Sequence, residues 1–130
     1  MIYIWLNLFP ILIATTLGLM IGWAYRVTFD PAAGRISVGA IITAALGLFW
    51  FASILAGALI LAPPKAAPWI MAVGGAVVIW AGFVLPVVAI THSYHRAQPR
   101  RAIGDSLYWL ITMVAQAVAM KLIGLVPPPV

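Results

Sequence analysis

The sequence predicts an all-α integral membrane protein, a bundle of four transmembrane helices formed from residues 1–130 as one unit. Three observations carry that reading. Of 130 residues, 65% are hydrophobic and 7% charged, whereas a soluble domain carries about 25% charged residues. Four apolar stretches, at about 2–25, 36–62, 69–94 and 103–126, each exceed the ~20 residues that cross ~30 Å of hydrocarbon. None alternates as a barrel strand does, and an isolated strand cannot satisfy its backbone in lipid, so helices are the remaining solution. Most of the basic residues that give the chain its +5 charge fall in short connections between these stretches. They mark topology rather than a nucleic-acid surface. The absence of cysteine excludes disulfides and thiolate metal sites.

The first stretch could be taken for a signal peptide, but no basic segment precedes it and it is longer than a signal core. It reads as a retained helix, kinked at Pro10. The connection 26–35 holds Asp30-Pro31 and Gly34, a turn followed by a breaker. Ser37 is placed to cap the second helix. Pro63-Pro64 ends that helix, and Pro68 suits the first turn of the third, which should kink at Pro86. The loop 95–102 leads to Pro99, a second candidate for a first-turn proline. Pro127-Pro128-Pro129 cannot continue a helix.

Arg26, Arg35, Arg96, Arg100 and Arg101 lie on one side, and Lys65 and Lys121 on the other. The positive-inside rule makes loops 26–35 and 95–102 cytoplasmic and places both termini outside, on the periplasmic face of an inner membrane. Tyr3, Trp5 and Trp69 fit one aromatic belt, and Trp23, Tyr25, Phe29, Tyr94, Tyr108 and Trp109 the other. Phe49, Trp50, Phe51 and Trp80 fall mid-span. There they serve lipid contact or packing or, on a sharper reading, a partner or pigment.

Small residues recur where helices could meet: Gly18 and Gly22 in a G-x-x-x-G, Gly39 and Gly47 in the second helix, Gly74 and Gly82 in the third. Such stripes let backbones approach and gain dispersion energy in lipid. Of the mid-span polar residues, Thr15, Thr16, Thr43, Ser53 and Thr112 can bond their own backbone. Only Gln116 is expected to seek a partner across helices.

The candidate chemistry is concentrated between His92 and Trp109. His92 and His95 are three apart and share a helical face. With Asp105 they are the candidate ligands for a metal, but a fourth ligand is not evident and no metal site is expected. A carboxylate beside lipid is costly unless paired. Arg101 and Asp105, four apart, are expected to form an ion pair, with Tyr108 and Trp109 one turn further on. These four residues form either a clamp that fixes the hairpin or a site for a polar ligand. Tetrapyrrole or lipid contact is conceivable, but no particular cofactor is indicated. The chain has no glutamate and no ionisable group at mid-bilayer, which argues against a proton-coupled pump. It has no H-E-x-x-H, G-x-S-x-G or phosphate loop.

Leu17-Gly18-x-x-x-Gly22-Trp23-x-Tyr25, Gly82-Phe83-Val84, Pro99-Arg100, Ile103-x-Asp105-x-x-Tyr108-Trp109-Leu110, Met113 and Gly124 resemble a family of small four-span bacterial membrane proteins, domain of unknown function 1761. The resemblance covers the end of helix one and helices three and four. It implies a four-span fold and brings no activity with it. The first loop here is shorter than the family's and lacks its polar insert.

Missing catalytic motifs and mid-span aromatics together point to a non-catalytic accessory or scaffold subunit, with the bilayer and other membrane subunits as partners. The alternative is a homo-oligomeric channel or carrier for a small or lipid-like solute.

Overall fold

The structure, a computed structural model, describes residues 2–129. It is all-α. Helices α1 (Ile2–Leu6) and α2 (Leu8–Phe29) form the first rod and α3 (Val38–Leu61) the second. The third joins α4 (Pro68–Ile79) through a π-helical turn (Trp80–Val84) to α5 (Leu85–Tyr94), and α6 (Pro99–Ile123) is the fourth. Among the described residues, Leu8–Phe29, Val38–Leu61, Pro68–Tyr94 and Pro99–Ile123 are long and apolar enough to cross a membrane. The chain is a multi-pass membrane protein.

Local chemistry sets the helix ends. Ser37 Oγ accepts a hydrogen bond from the Ala40 amide at 3.1 Å, which caps α3. Ala62 is extended because Pro63 follows it and disfavours the helical basin for the residue before. Pro68 and Pro99 occupy first-turn positions of α4 and α6, where the missing N–H costs nothing. Gly124, at φ 100°, lets the chain leave α6 and turn back, a conformation that a side chain would strain.

Helix ends and kinks differ from expectation at several points. The first rod breaks at Asn7 and then runs on to Phe29 rather than stopping at 25, since no breaker precedes Asp30-Pro31. Helix α6 starts at Pro99, the candidate first-turn proline, four residues before the apolar stretch at 103, and stops at Ile123 rather than 126. Apolarity marks where lipid is, and Arg100 and Arg101 continue the helix beyond it. Pro10 lies in the first turn of α2, so the bend sits just before it, at Asn7. Pro86 sits in the first turn of α5, and the distortion appears as the preceding π turn, in which the Leu85 amide bonds to Trp80 O. Proline cannot donate to the carbonyl four residues back and crowds it, and a wider turn relieves both problems.

Helix α6 is central. It packs against α2, α3 and both parts of the third rod, whereas the backbones of α2 and the third rod stay apart. The core where these helices converge is built largely of small residues and flexible methionines: Ile11, Ala14, Ala52, Leu55, Ala56, Ala76, Met113, Ala117 and Met120. Short side chains bring backbones close enough for dispersion to hold helices together in lipid. The hydroxyls of Thr15, Thr16, Thr43, Ser53 and Thr112 bond carbonyls four residues back. Gln116 does reach across, its Nε2 donating to Ala14 O at 3.1 Å.

The glycines divide sharply. A Cβ on Gly18 would lie 2.9 Å from Leu48 Cδ2 and 3.2 Å from Gln116 Nε2, and one on Gly22 would lie 2.9 Å from the Tyr108 hydroxyl. At Gly39, Gly47, Gly74 and Gly82, by contrast, a Cβ would meet nothing within 4 Å. This corrects the expectation that all six pack the bundle: only the first helix's pair does so within the chain. Overpacking at Gly18 by a branched side chain would cost about 1–3 kcal/mol, because the Leu48 and Gln116 side chains that occupy that space would have to be displaced.

Candidate functional site

Asp105 lies on α6 near the end of the bundle that carries the arginines. The Tyr25 hydroxyl, from α2, donates to its Oδ1 at 2.7 Å. His92 Nε2, from α5, lies 2.7 Å from its Oδ2. The His92 and Asp105 side chains are only 20% and 27% exposed. One carboxylate thus bridges α2 and α5, whose backbones do not approach each other closely.

The hydrogen-bond grammar of the site is specific. His92 Nδ1 faces Val88 O at 2.9 Å, and a carbonyl can only accept, so Nδ1 carries a proton. Nε2 then meets a carboxyl oxygen across a single hydrogen bond. The contact is either an imidazolium beside a carboxylate or a neutral imidazole accepting from a carboxylic acid. In either state one proton lies between α5 and α6, and both Asp105 oxygens are engaged.

Reciprocal glycines make room for the two tyrosines. Gly22 on α2 lies under the Tyr108 hydroxyl, and Gly104 on α6 lies under the Tyr25 hydroxyl, where a Cβ would be 3.1 Å away. The Tyr25 and Tyr108 rings stack at 4.7 Å. They extend into a column: Phe29 lies 5.2 Å from Tyr25, Trp109 5.0 Å from Tyr108, and Phe51 of α3 5.6 Å from Trp109. Offset and tilted aromatic pairs of this kind contribute about 0.5–1.5 kcal/mol each beyond burial. The column runs α2–α6–α3, and its Tyr25 hydroxyl reaches the carboxylate.

The structure redistributes the predicted pairs. Arg101 does not pair with Asp105. Its Nη2 donates to Asp30 Oδ2 at 3.3 Å, both side chains being well exposed, and such a surface pair contributes little. One helical turn separates Arg101 from Asp105 along α6, but the carboxylate points into the bundle and the guanidinium out toward the first loop. His95 is exposed and does not join His92 and Asp105. Among the described residues no three His, Cys, Asp or Glu side chains come together, so the candidate trio is reduced to a pair. Ser106 lies beside Asp105 in sequence, yet its hydroxyl donates to Ala102 O at 2.7 Å. Mid-span Trp80 donates from Nε1 to Ser106 O at 2.7 Å, and Phe51 joins the column. Both pack within the chain, whereas Trp50 is exposed.

A second polar centre lies at the opposite end. Asn7 is 1% exposed. Its Nδ2 donates to Tyr3 O and to Val126 O, each at 2.8 Å, and its Oδ1 accepts from the Val126 amide at 2.6 Å. The side-chain amide therefore pairs with a backbone residue of the tail much as a strand would. The Tyr3 hydroxyl donates to Ser53 O at 3.0 Å, and Gly57 gives it room. From the sequence, Tyr25 reads only as part of an aromatic belt and Asn7 has no assigned partner. Gly22 and Gly104, each one turn before a tyrosine of the pair, are the signal that could have exposed the first. Asn7 had only its rarity as a side-chain amide in an apolar run.

The geometry at Asp105 is that of a clasp. Both of its oxygens are engaged, one by the Tyr25 hydroxyl from α2 and one by His92 Nε2 from α5, so it ties together three helices. The chain matches no family model, no curated protein and no solved structure among those compared.

Proposed function

We propose that this protein is a non-catalytic accessory or scaffold subunit of a larger assembly in a bacterial inner membrane, of the four-span kind that its helix-end motifs resemble. One observation carries the reading. The third span, Pro68–Tyr94, has the highest mean hydropathy of the four, 2.4, yet 6% of its apolar window is buried, against 28%, 28% and 33% in the others. Its outward face presents Val78, Phe83 and Val87 beside Gly74 and Gly82, whose faces no helix of this chain occupies. Large apolar side chains alternating with glycines suit close approach by another transmembrane helix.

Five arginines at the Asp105 end orient that end to the cytoplasm and both termini to the periplasm. Alkaline phosphatase fused at the C-terminus is expected to be active, and an inactive fusion with a fully expressed chain reverses the orientation.

A photo-crosslinker at Phe83, 71% exposed, is expected to capture a different membrane protein in native membranes, whereas one at Met20, 62% exposed on α2, captures only lipid. Lipid adducts alone from both positions would defeat the assignment. An adduct of twice the chain's mass from Phe83 would favour the homo-oligomeric channel or carrier, which would use the same face.

A further inference from the structure

At the end of the bundle opposite Asp105, the turn between α3 and α4 does not close against α6. A groove of about 490 Å³ opens there, walled by Leu59 and Pro63 on one side, Met71 below, and Leu125 and Pro127 of the tail on the other. This is within the ~300–1,000 Å³ of small-molecule sites. A second apolar groove of about 470 Å³ flanks the same α3–α4 seam and shares Leu59, Pro63 and Met71 with the first. Lys121 is the one charged side chain lining either groove. Its ammonium is held 5.6 Å from the centre of the Trp69 ring, a contact that positions the charge without neutralising it.

The tail wall is a built feature. Gly124 turns the chain out of α6, and Asn7 holds Val126 by both its amide and its carbonyl. The groove's open side is therefore set by hydrogen bonds from the buried Asn7 side chain to the exposed Val126, rather than by the packing of the prolines alone.

We infer that this groove is a binding site for an anionic phospholipid, with an acyl chain along the α3–α4 seam and the headgroup phosphate on Lys121. A slot walled by apolar side chains fits a run of methylenes. A cation in the last turn of a membrane-spanning helix lies at headgroup depth, where its stem can lie on apolar surface while the charge meets an anion. The charge pattern selects among headgroups. The chain's two acidic side chains, Asp30 and Asp105, both lie at the opposite end of the bundle. The groove therefore offers a partner for a phosphate and no side-chain carboxylate for the ammonium of a zwitterionic lipid.

The test is native mass spectrometry of the delipidated, detergent-solubilised protein with added dioleoyl phosphatidylglycerol or dioleoyl phosphatidylcholine. The wild-type chain is expected to prefer phosphatidylglycerol about fivefold, the size of one ammonium–anion contact at a membrane surface. Lys121→Gln should bring the two lipids to parity, Lys121→Arg should keep the preference, and Lys65→Gln, outside the groove lining, should not change it. Filling the slot with Ala66→Trp should weaken both lipids alike, since Ala66 lines the groove from an exposed turn. The wild-type preference should also fall as salt is added, a readout that needs no variant. Equal binding of the two lipids by the wild-type chain, a preference that salt leaves intact, or a preference that survives Lys121→Gln would overturn the assignment.

Discussion

Asp105→Leu is expected to lower the stability of the folded protein in detergent by about 2–4 kcal/mol, the largest loss from any single polar substitution in the chain. Leucine fills a similar space but strands two partners. The Tyr25 hydroxyl loses its acceptor at 2.7 Å, and His92 Nε2 loses the oxygen it shares a proton with. Asp105→Asn is expected to behave differently, staying within about 1 kcal/mol of the wild type. The asparagine carbonyl can still accept from Tyr25. Its NH₂ can donate to Nε2 of a neutral imidazole whose Nδ1 proton already faces Val88 O. The contrast between the two variants distinguishes a hydrogen-bonded clasp from a requirement for charge. Pairing Asp105→Leu with His92→Leu in a double-mutant cycle should show strong coupling. Urea or thermal unfolding in micelles reads all of these. A leucine variant as stable as the wild type would remove the clasp, and an asparagine variant as poor as the leucine would show that ionic charge, not hydrogen bonding, holds the helices.

Asn7→Ala is expected to cost about 2–3 kcal/mol and to release the tail. Three hydrogen bonds go at once, two of them to Val126, leaving the backbone amide and carbonyl of that residue without their side-chain partner. Hydrogen exchange at the Val126 amide should rise to the rate of an exposed tail, while exchange in α6 changes little. Unaltered protection of Val126 would mean that the tail is held by the packing of Leu125 and the prolines instead.

Hydropathy shows helix number, approximate length and class directly, because a membrane-spanning rod announces itself by continuous apolarity. Punctuation was equally legible. The Ser37 cap and the first-turn prolines Pro68 and Pro99 follow from one-residue rules about N–H groups and dihedral angles. Gln116 stands out in the sequence as the mid-span side chain that must look beyond its own helix, because an amide is too long to fold back on its own turn as serine and threonine do. Facing was not legible. Apolar residues surround each span, so no amphipathic stripe tells core from lipid, and a glycine stripe reads the same whether it meets another helix of the chain or none. Gly18 and Gly39 therefore looked alike in sequence and differ completely in structure. The Arg101–Asp105 pairing failed for a related reason. Spacing of four on one helix places two residues near each other, but tertiary partners on α2 and α5 claimed the carboxylate.

The buried side of the third rod falls at Ala72, Ala76, Trp80, Val84, Val88 and His92, which are less exposed than most of their neighbours. A strict four-residue beat drifts about 40° per step around an ordinary α-helix, so over these five steps it would wind more than half-way around the rod. The π turn at Trp80–Val84 absorbs much of that drift by holding one extra residue in a single turn. The third span thus carries one amino acid more than its length across the bilayer requires. That supernumerary residue keeps the imidazole and the indole aimed at the same neighbour.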